Sequence, residues 1–165
     1  MTDAAGGVVF DFLNDNVPLQ ISWTAAGSTN AFLVLDRNSN GTIDNGTELF
    51  GDLTPQPVSS QANGFLALAQ YDTAGNGGNG NGRIDAQDAT FSNLRLWQDA
   101  NHNGYSEANE LHTLGASGIA GIDLNYKESK KTDAFGNKFR YRAKVYDGGG
   151  AHSGRWAWDV FLTVQ

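Results

Sequence analysis

The chain has 165 residues, 39% of them hydrophobic, with 18 acidic and 11 basic side chains and a net charge of −7. That size and composition suit one domain with a real core and exclude a disordered polymer. The absence of cysteine excludes disulfides, thiol catalysis and thiolate metal sites, and no apolar run is long enough to span a membrane. The opening MTDAAGGVVFDF lacks the basic and apolar regions of a signal peptide and reads as a domain excised from a longer chain behind an added Met. Charge is unevenly placed. Residues 1–125 carry 14 acids and 3 bases, a net of −11, and residues 126–165 carry 4 acids and 8 bases, a net of +4. Carboxylates set in Gly-rich loops point to cations rather than nucleic acid.

In chain order, VVFDF and PLQISW read as a hairpin around a turn at residues 13–17. Asp11 and Asp15 could lend carboxylates to an ion, but Leu13 and Asn16 spoil a loop register there. The apolar AFLVL, residues 31–35, reads as a buried strand. It leads into LDRNSNGTIDNGTELFGD, which follows the twelve-residue calcium loop. Asp36, Asn38, Asn40, Thr42 and Asp44 fill ligand positions 1, 3, 5, 7 and 9, with Gly41 at the sharp turn and apolar Ile43 at position 8. Alternate short oxygen-bearing side chains can converge on one hard cation, and position 7 uses its backbone carbonyl. Glu48 arrives one residue late. The last ligand is therefore open between Glu48, Asp44 and a water, and Gly46 offers slack for the extra residue.

TPQPVSSQAN reads as a surface loop, and NGFLALAQY as a helix of about two turns started by Asn63. In YDTAGNGGNGNGRIDAQDATF, Asn79, Asn81, Arg83, Asp85 and Asp88 fit positions 3, 5, 7, 9 and 12. Position 1 falls on Gly77, so Asp72 would have to loop back to supply it. A flexible Gly/Asn turn, with Asp85 capping a short helix over AQDATFSNL, fits these residues equally well. WQDANHNGYSEANEL restores the full register: Asp99, Asn101, Asn103, Tyr105 and Glu110 occupy positions 1, 3, 5, 7 and 12, with Gly104 at 6 and Glu107 at 9. Ser106 stands at the usually apolar position 8 and reads as the N-cap of a helix over EANELHTL. His102, at position 4, is expected to point outward.

GIDLNY suggests a strand. KFRYRAKVY alternates, with Phe139, Tyr141, Ala143 and Val145 on one face and Lys138, Arg140, Arg142 and Lys144 on the other. RWAWDVFLTV should return as its hairpin partner, with Trp156, Trp158, Val160 and Leu162 on the core stripe. The basic face is expected to be solvated and partly neutralised by the acidic loops. The histidines stand apart, and no nucleophile elbow, His-x-x-x-His pair or phosphate loop occurs, so no catalytic role is expected.

The phrases LVLDRNSNGTIDNGTELFG and IDAQDATFSNLRLWQDANHNGYSEANELHTL resemble EF-hand-like calcium modules of large secreted bacterial proteins, including the self-processing modules of repeats-in-toxin proteins. The likeness covers roughly residues 8–125. It implies a calcium-folded extracellular unit of a longer chain, with metal roles on Asp36, Asn38, Asn40, Asp44, Glu48, Asp85, Asp88, Asp99, Asn101, Asn103 and Glu110. Those modules cleave an Asp-Pro bond at their own N-terminal edge. The three prolines here follow Val17, Thr54 and Gln56, so no such bond is present. The expectation is one α+β domain of antiparallel strands and short helices organised around calcium loops. A loop region (1–125) is followed by a C-terminal hairpin (126–165). It should hold two or three Ca²⁺ ions, bind neighbouring domains of its own chain and remain monomeric. The alternatives are an Asp-Pro self-processing module truncated of its cleavage site, and an adhesin or carbohydrate-binding module using the aromatic and basic hairpin.

Overall fold

A computed structural model describes residues 1–165. Ten short strands and one helix follow in order: β1 (Val8–Phe10), β2 (Leu19–Ile21), β3 (Phe32–Val34), α1 (Gly64–Ala69), β4 (Arg83–Asp85), β5 (Arg95–Trp97), β6 (Leu111–Thr113), β7 (Gly121–Asp123), β8 (Lys127–Thr132), β9 (Lys138–Tyr146) and β10 (His152–Phe161). Every pairing between strands is antiparallel. The fold is thus α+β but strand-rich.

β1 and β2 form the expected hairpin. β3, β5 and β6 make a second sheet with β5 at its centre. The largest sheet runs β10-β9-β7-β4, with β8 pairing β9 beside β7. Helix α1 starts where Asn63 Oδ1 accepts the backbone N–H groups of Phe65 and Leu66, and its apolar Phe65 and Leu68 are buried.

Two apolar clusters hold the chain. One joins α1 to the large sheet through Phe65, Leu68, Ile84, Ile122 and Tyr141. The other packs the front of the molecule around Phe10, Trp23, Phe32 and Trp97, whose rings stand 4.3–6.2 Å apart. Trp23 and Trp97 are fully buried. Each hides about 200 Å² of mostly apolar surface, contributing about 4–6 kcal/mol.

Three expectations are corrected. No helix follows Ser106: residues 108–110 form a turn and β6 follows at once. Glu110 turns its carboxylate inward onto backbone N–H groups, and Leu111 pairs with Trp97. Residues 86–93 are likewise successive turns rather than a helix. The third concerns β10. Its pairing sets Ala157 opposite Ala143 and Trp158 opposite Arg142. Because Ala143 faces the core, Ala157 and Asp159 face inward, and Trp156 and Trp158 stand on the outer, basic face. Register shifts between His152 and Trp156 and between Asp159 and Val160 interrupt the alternation read from sequence.

Candidate metal centre

The three loops share one backbone design. Asp36, at position 1, accepts the N–H groups of Asn40 (3.2 Å) and Gly41 (2.8 Å), positions 5 and 6. Asp99 does the same for Asn103 (3.1 Å) and Gly104 (2.9 Å). In the middle loop that role belongs to Asp72, which accepts Asn81 (3.1 Å) and Gly82 (2.8 Å). Gly77, its formal position 1, drops out. The five extra residues fold back on Asp72, and Gly78 must be glycine because a Cβ there would lie 2.2 Å from the Asp72 carbonyl carbon.

Further links repeat. The position-5 side chains Asn40, Asn81 and Asn103 each accept the N–H of position 7, at 2.8 Å in all three loops. The same asparagines each donate to position 9: Asn40 to Asp44 (2.6 Å), Asn81 to Asp85 (3.2 Å) and Asn103 to Glu107 (2.7 Å). Asn38 and Asn101, at position 3, also reach position 9, at 3.4 and 3.3 Å. Alternate side chains therefore meet on one side of the first and third loops. The Asn79 amide instead donates to Gln87 (2.9 Å), while its Oδ1 accepts the Asn81 N–H.

The closing carboxylates fold inward. Glu48 is buried and accepts the N–H groups of Arg37 (3.0 Å) and Asp44 (2.9 Å). The late glutamate therefore reaches its loop. The 3₁₀ turn Gly46–Glu48 takes up the extra residue, and Gly46 packs so closely on the Phe12 carbonyl that a Cβ would lie 1.9 Å from its oxygen. Asp88 accepts Asn79 (3.3 Å) and Asp85 (2.8 Å), and Glu110 accepts Ala100 (2.9 Å) and Asn101 (3.4 Å). Thr42, Arg83 and Tyr105 hold position 7, each with its N–H on the position-5 asparagine.

Electrostatics separate these groups. Burial pushes the Glu48 carboxyl above its usual range, although backbone N–H groups oppose the shift. Burial works the same way on Asp44, but amides of Asn40, Asn45 and Asn38 outweigh it and hold that carboxyl low. The Asn103 amide lowers Glu107. Glu107 also keeps Oε2 enclosed without a hydrogen-bond partner. No group of three or more His, Cys, Asp or Glu side chains stands together in metal-binding arrangement, so the candidate donor sets are mixed Asp, Asn, Glu and carbonyl oxygens.

Several partners were not legible in the sequence. The Trp23 indole donates to Asp99 (2.9 Å) and the Trp97 indole to Glu110 (3.4 Å), wiring the third loop to the aromatic core. Ser106 Oγ accepts the Ile43 N–H (2.6 Å) and donates to the Ile43 carbonyl (3.3 Å). The first and third loops thus meet at position 8, with a hydroxyl replacing a backbone pair. Ile84 pairs instead with Ile122 of β7. His102 does not point outward. Its ring nitrogens face the Thr24 and Gly6 carbonyls at 2.7 and 2.8 Å. The β1–β2 turn carries the same opening: Asp11 accepts Asp15 and Asn16, both at 3.1 Å. Asn14 and Asn16 adopt the left-handed backbone that Ser39 and Gly41, and His102 and Gly104, use at positions 4 and 6. Asparagine standing where glycine is expected hid that kinship.

Over residues 1–162 the chain matches the SPM domain family, and it belongs to that family. Among curated proteins it is similar to iron-regulated protein FrpA of Neisseria meningitidis serogroup C. The two are 45% identical over 132 residues, which are 79% of this chain and 11% of that protein. No helix is long and apolar enough to cross a membrane.

Proposed function

We propose that this chain is a calcium-stabilised module whose three loops bind Ca²⁺ and are ordered by it. One observation carries the reading: three differently spaced segments build the same donor arrangement, with Asp36, Asp72 and Asp99 each clamping the N–H groups of positions 5 and 6. The donors suit a hard cation, since all are oxygens, and the enclosed Oε2 of Glu107 lacks a partner that an ion would supply. The first loop would hold the ion with Asp36, Asn38, Asn40, Asp44, Glu48 and the Thr42 carbonyl. The second would use Asp72, Asn79, Asn81, Asp85, Asp88 and the Arg83 carbonyl. The third would use Asp99, Asn101, Asn103, Glu107, Glu110 and the Tyr105 carbonyl.

An ion that binds the folded state and not the unfolded chain stabilises folding by mass action. Neutral asparagine at positions 3 and 5 lowers the charge of each site and sets Kd at about 10⁻⁶–10⁻³ M, matched to extracellular calcium. The module would work as a secreted, monomeric unit within a longer bacterial chain of the repeats-in-toxin kind. The 11% share of FrpA that it spans supports the place within a longer chain. The reading gives the chain no catalytic residue.

The test is a calcium titration of chelator-stripped protein, followed by calorimetry and tryptophan fluorescence. The expected result is saturable binding of two or three ions, a large rise in melting temperature and little response to magnesium. A stable stripped protein that binds no calcium would overturn the reading and leave the loops as turns held by their own side chains.

A further inference from the structure

The outer face of β8, β9 and β10 gathers two indoles and several cations. Trp156 is 37% exposed there and Trp158 is half-buried beside it. Arg142 lies over both indoles, 4.4 Å from the Trp156 centroid and 5.5 Å from that of Trp158. Lys131 of β8 stands 5.1 Å from the Trp158 ring, and Lys144 is the cross-strand neighbour of Trp156. The only ion pair in the chain joins the Met1 amine to Asp133 at 3.7 Å, so no lysine or arginine forms an ion pair with a carboxylate. No carboxylate of the acidic loops forms an ion pair with this face. Nor does the core need it, because Tyr141, Ala143 and Val145 fill the opposite side of β9.

We propose that this face binds an acidic polysaccharide. Indole faces stack on the C–H surfaces of sugar rings, and guanidinium and ammonium groups pair with the sugar carboxylates. Three features select this partner. The uncompensated cations favour an anionic ligand over a neutral glycan. The whole-chain charge of −7 repels a densely charged polymer such as nucleic acid more than a chain with a carboxylate on every second sugar. The indoles sit beside cations on a sheet face rather than at an apolar tip, which suits a stacked sugar better than a lipid interior. None of the loop oxygens belongs to this face, so the proposal stands apart from the calcium reading.

The probe is hyaluronate, titrated into the intact chain at low salt, with dextran, single-stranded DNA and phosphatidylglycerol vesicles as competitors. The expected result is binding of hyaluronate and not dextran, weakened by salt. Trp156→Ala and Arg142→Gln should each weaken it about tenfold, with unchanged melting and far-UV spectra. Absence of hyaluronate binding, binding indifferent to both substitutions, or tighter binding of DNA or vesicles would overturn the proposal.

Discussion

In residues 36–110, five carboxylates are buried: Glu48, Asp72, Asp88, Asp99 and Glu110. Each accepts two backbone N–H groups. In residues 126–165 only Asp159 is buried, and it accepts one, from Gly64 at 3.1 Å, while its Oδ2 has no partner. The loop region thus uses carboxylates to shape backbone that has little regular structure. The hairpin draws its shape from β9 and β10 pairing and carries its one buried acid as a burden. Burial, with repulsion from Asp52, raises that carboxyl to about 6. A carboxylate answered by oriented N–H groups organises a loop, whereas one left half-answered opposes its own fold.

Chelating calcium should divide these regions most sharply. With three sites at a hundredfold excess over Kd, removing the ion costs about 8 kcal/mol. Hydrogen exchange should then rise at Gly41, Gly82 and Gly104 well before it rises in the β9–β10 ladder. Equal loss in both would erase the distinction. Next in size is Asp99→Ala, which strands the N–H groups of Asn103 and Gly104 and the Trp23 indole. A loss of about 3–5 kcal/mol is expected in urea unfolding without calcium, with loss of the third site.

Asp159→Asn should act in the opposite direction. The folded carboxyl holds its proton up to about pH 6, against 3.8 for the ordinary group. Its contribution to stability is therefore greatest at low pH, falls between about pH 4 and 6 and stays low above. The substitution should flatten that slope and raise stability at pH 7 by about 1–3 kcal/mol, read from melting curves across pH. An unchanged slope would show that the burden lies elsewhere. The smallest effect belongs to Ser106→Ala, which leaves the buried Ile43 N–H unpaired for about 1–2 kcal/mol. Titration should also show the first and third sites filling with less cooperativity than in the unaltered chain.

The loops were largely written in the chain because their donors are local. Asp36 and Asp99 carry their partners within the next five residues, and their asparagines and glycines recur at fixed steps. Asp72 could be suspected only from the glycines that let the chain fold back. What spacing could not supply came from distant contacts: the Trp23 indole on Asp99, and Ser106 on Ile43. The strands β9 and β10 were legible in extent, yet the two faces of β10 were exchanged. Two register shifts lie within ten residues, and a slip of one residue turns every side chain over. The helix expected after Ser106 failed for a similar reason. Helical spacing there described a segment whose Glu110 side chain was committed to the loop and whose Leu111 was committed to β5.

The two ends of the chain lie along one strand. The Thr2 N–H bonds the Trp23 carbonyl at 2.8 Å, just past β2, and the Gln165 N–H bonds the Gln20 carbonyl at 3.0 Å, within it. Asn137 adds a clasp, donating to the Thr2 carbonyl (2.8 Å) and accepting the Thr163 N–H (3.0 Å). A mechanical pull applied at residues 2 and 165 would therefore enter and leave the molecule around β2. The load would fall on this small set of hydrogen bonds before either apolar cluster or any loop felt tension. The module would behave under stretch as a closed ring with a single buckle.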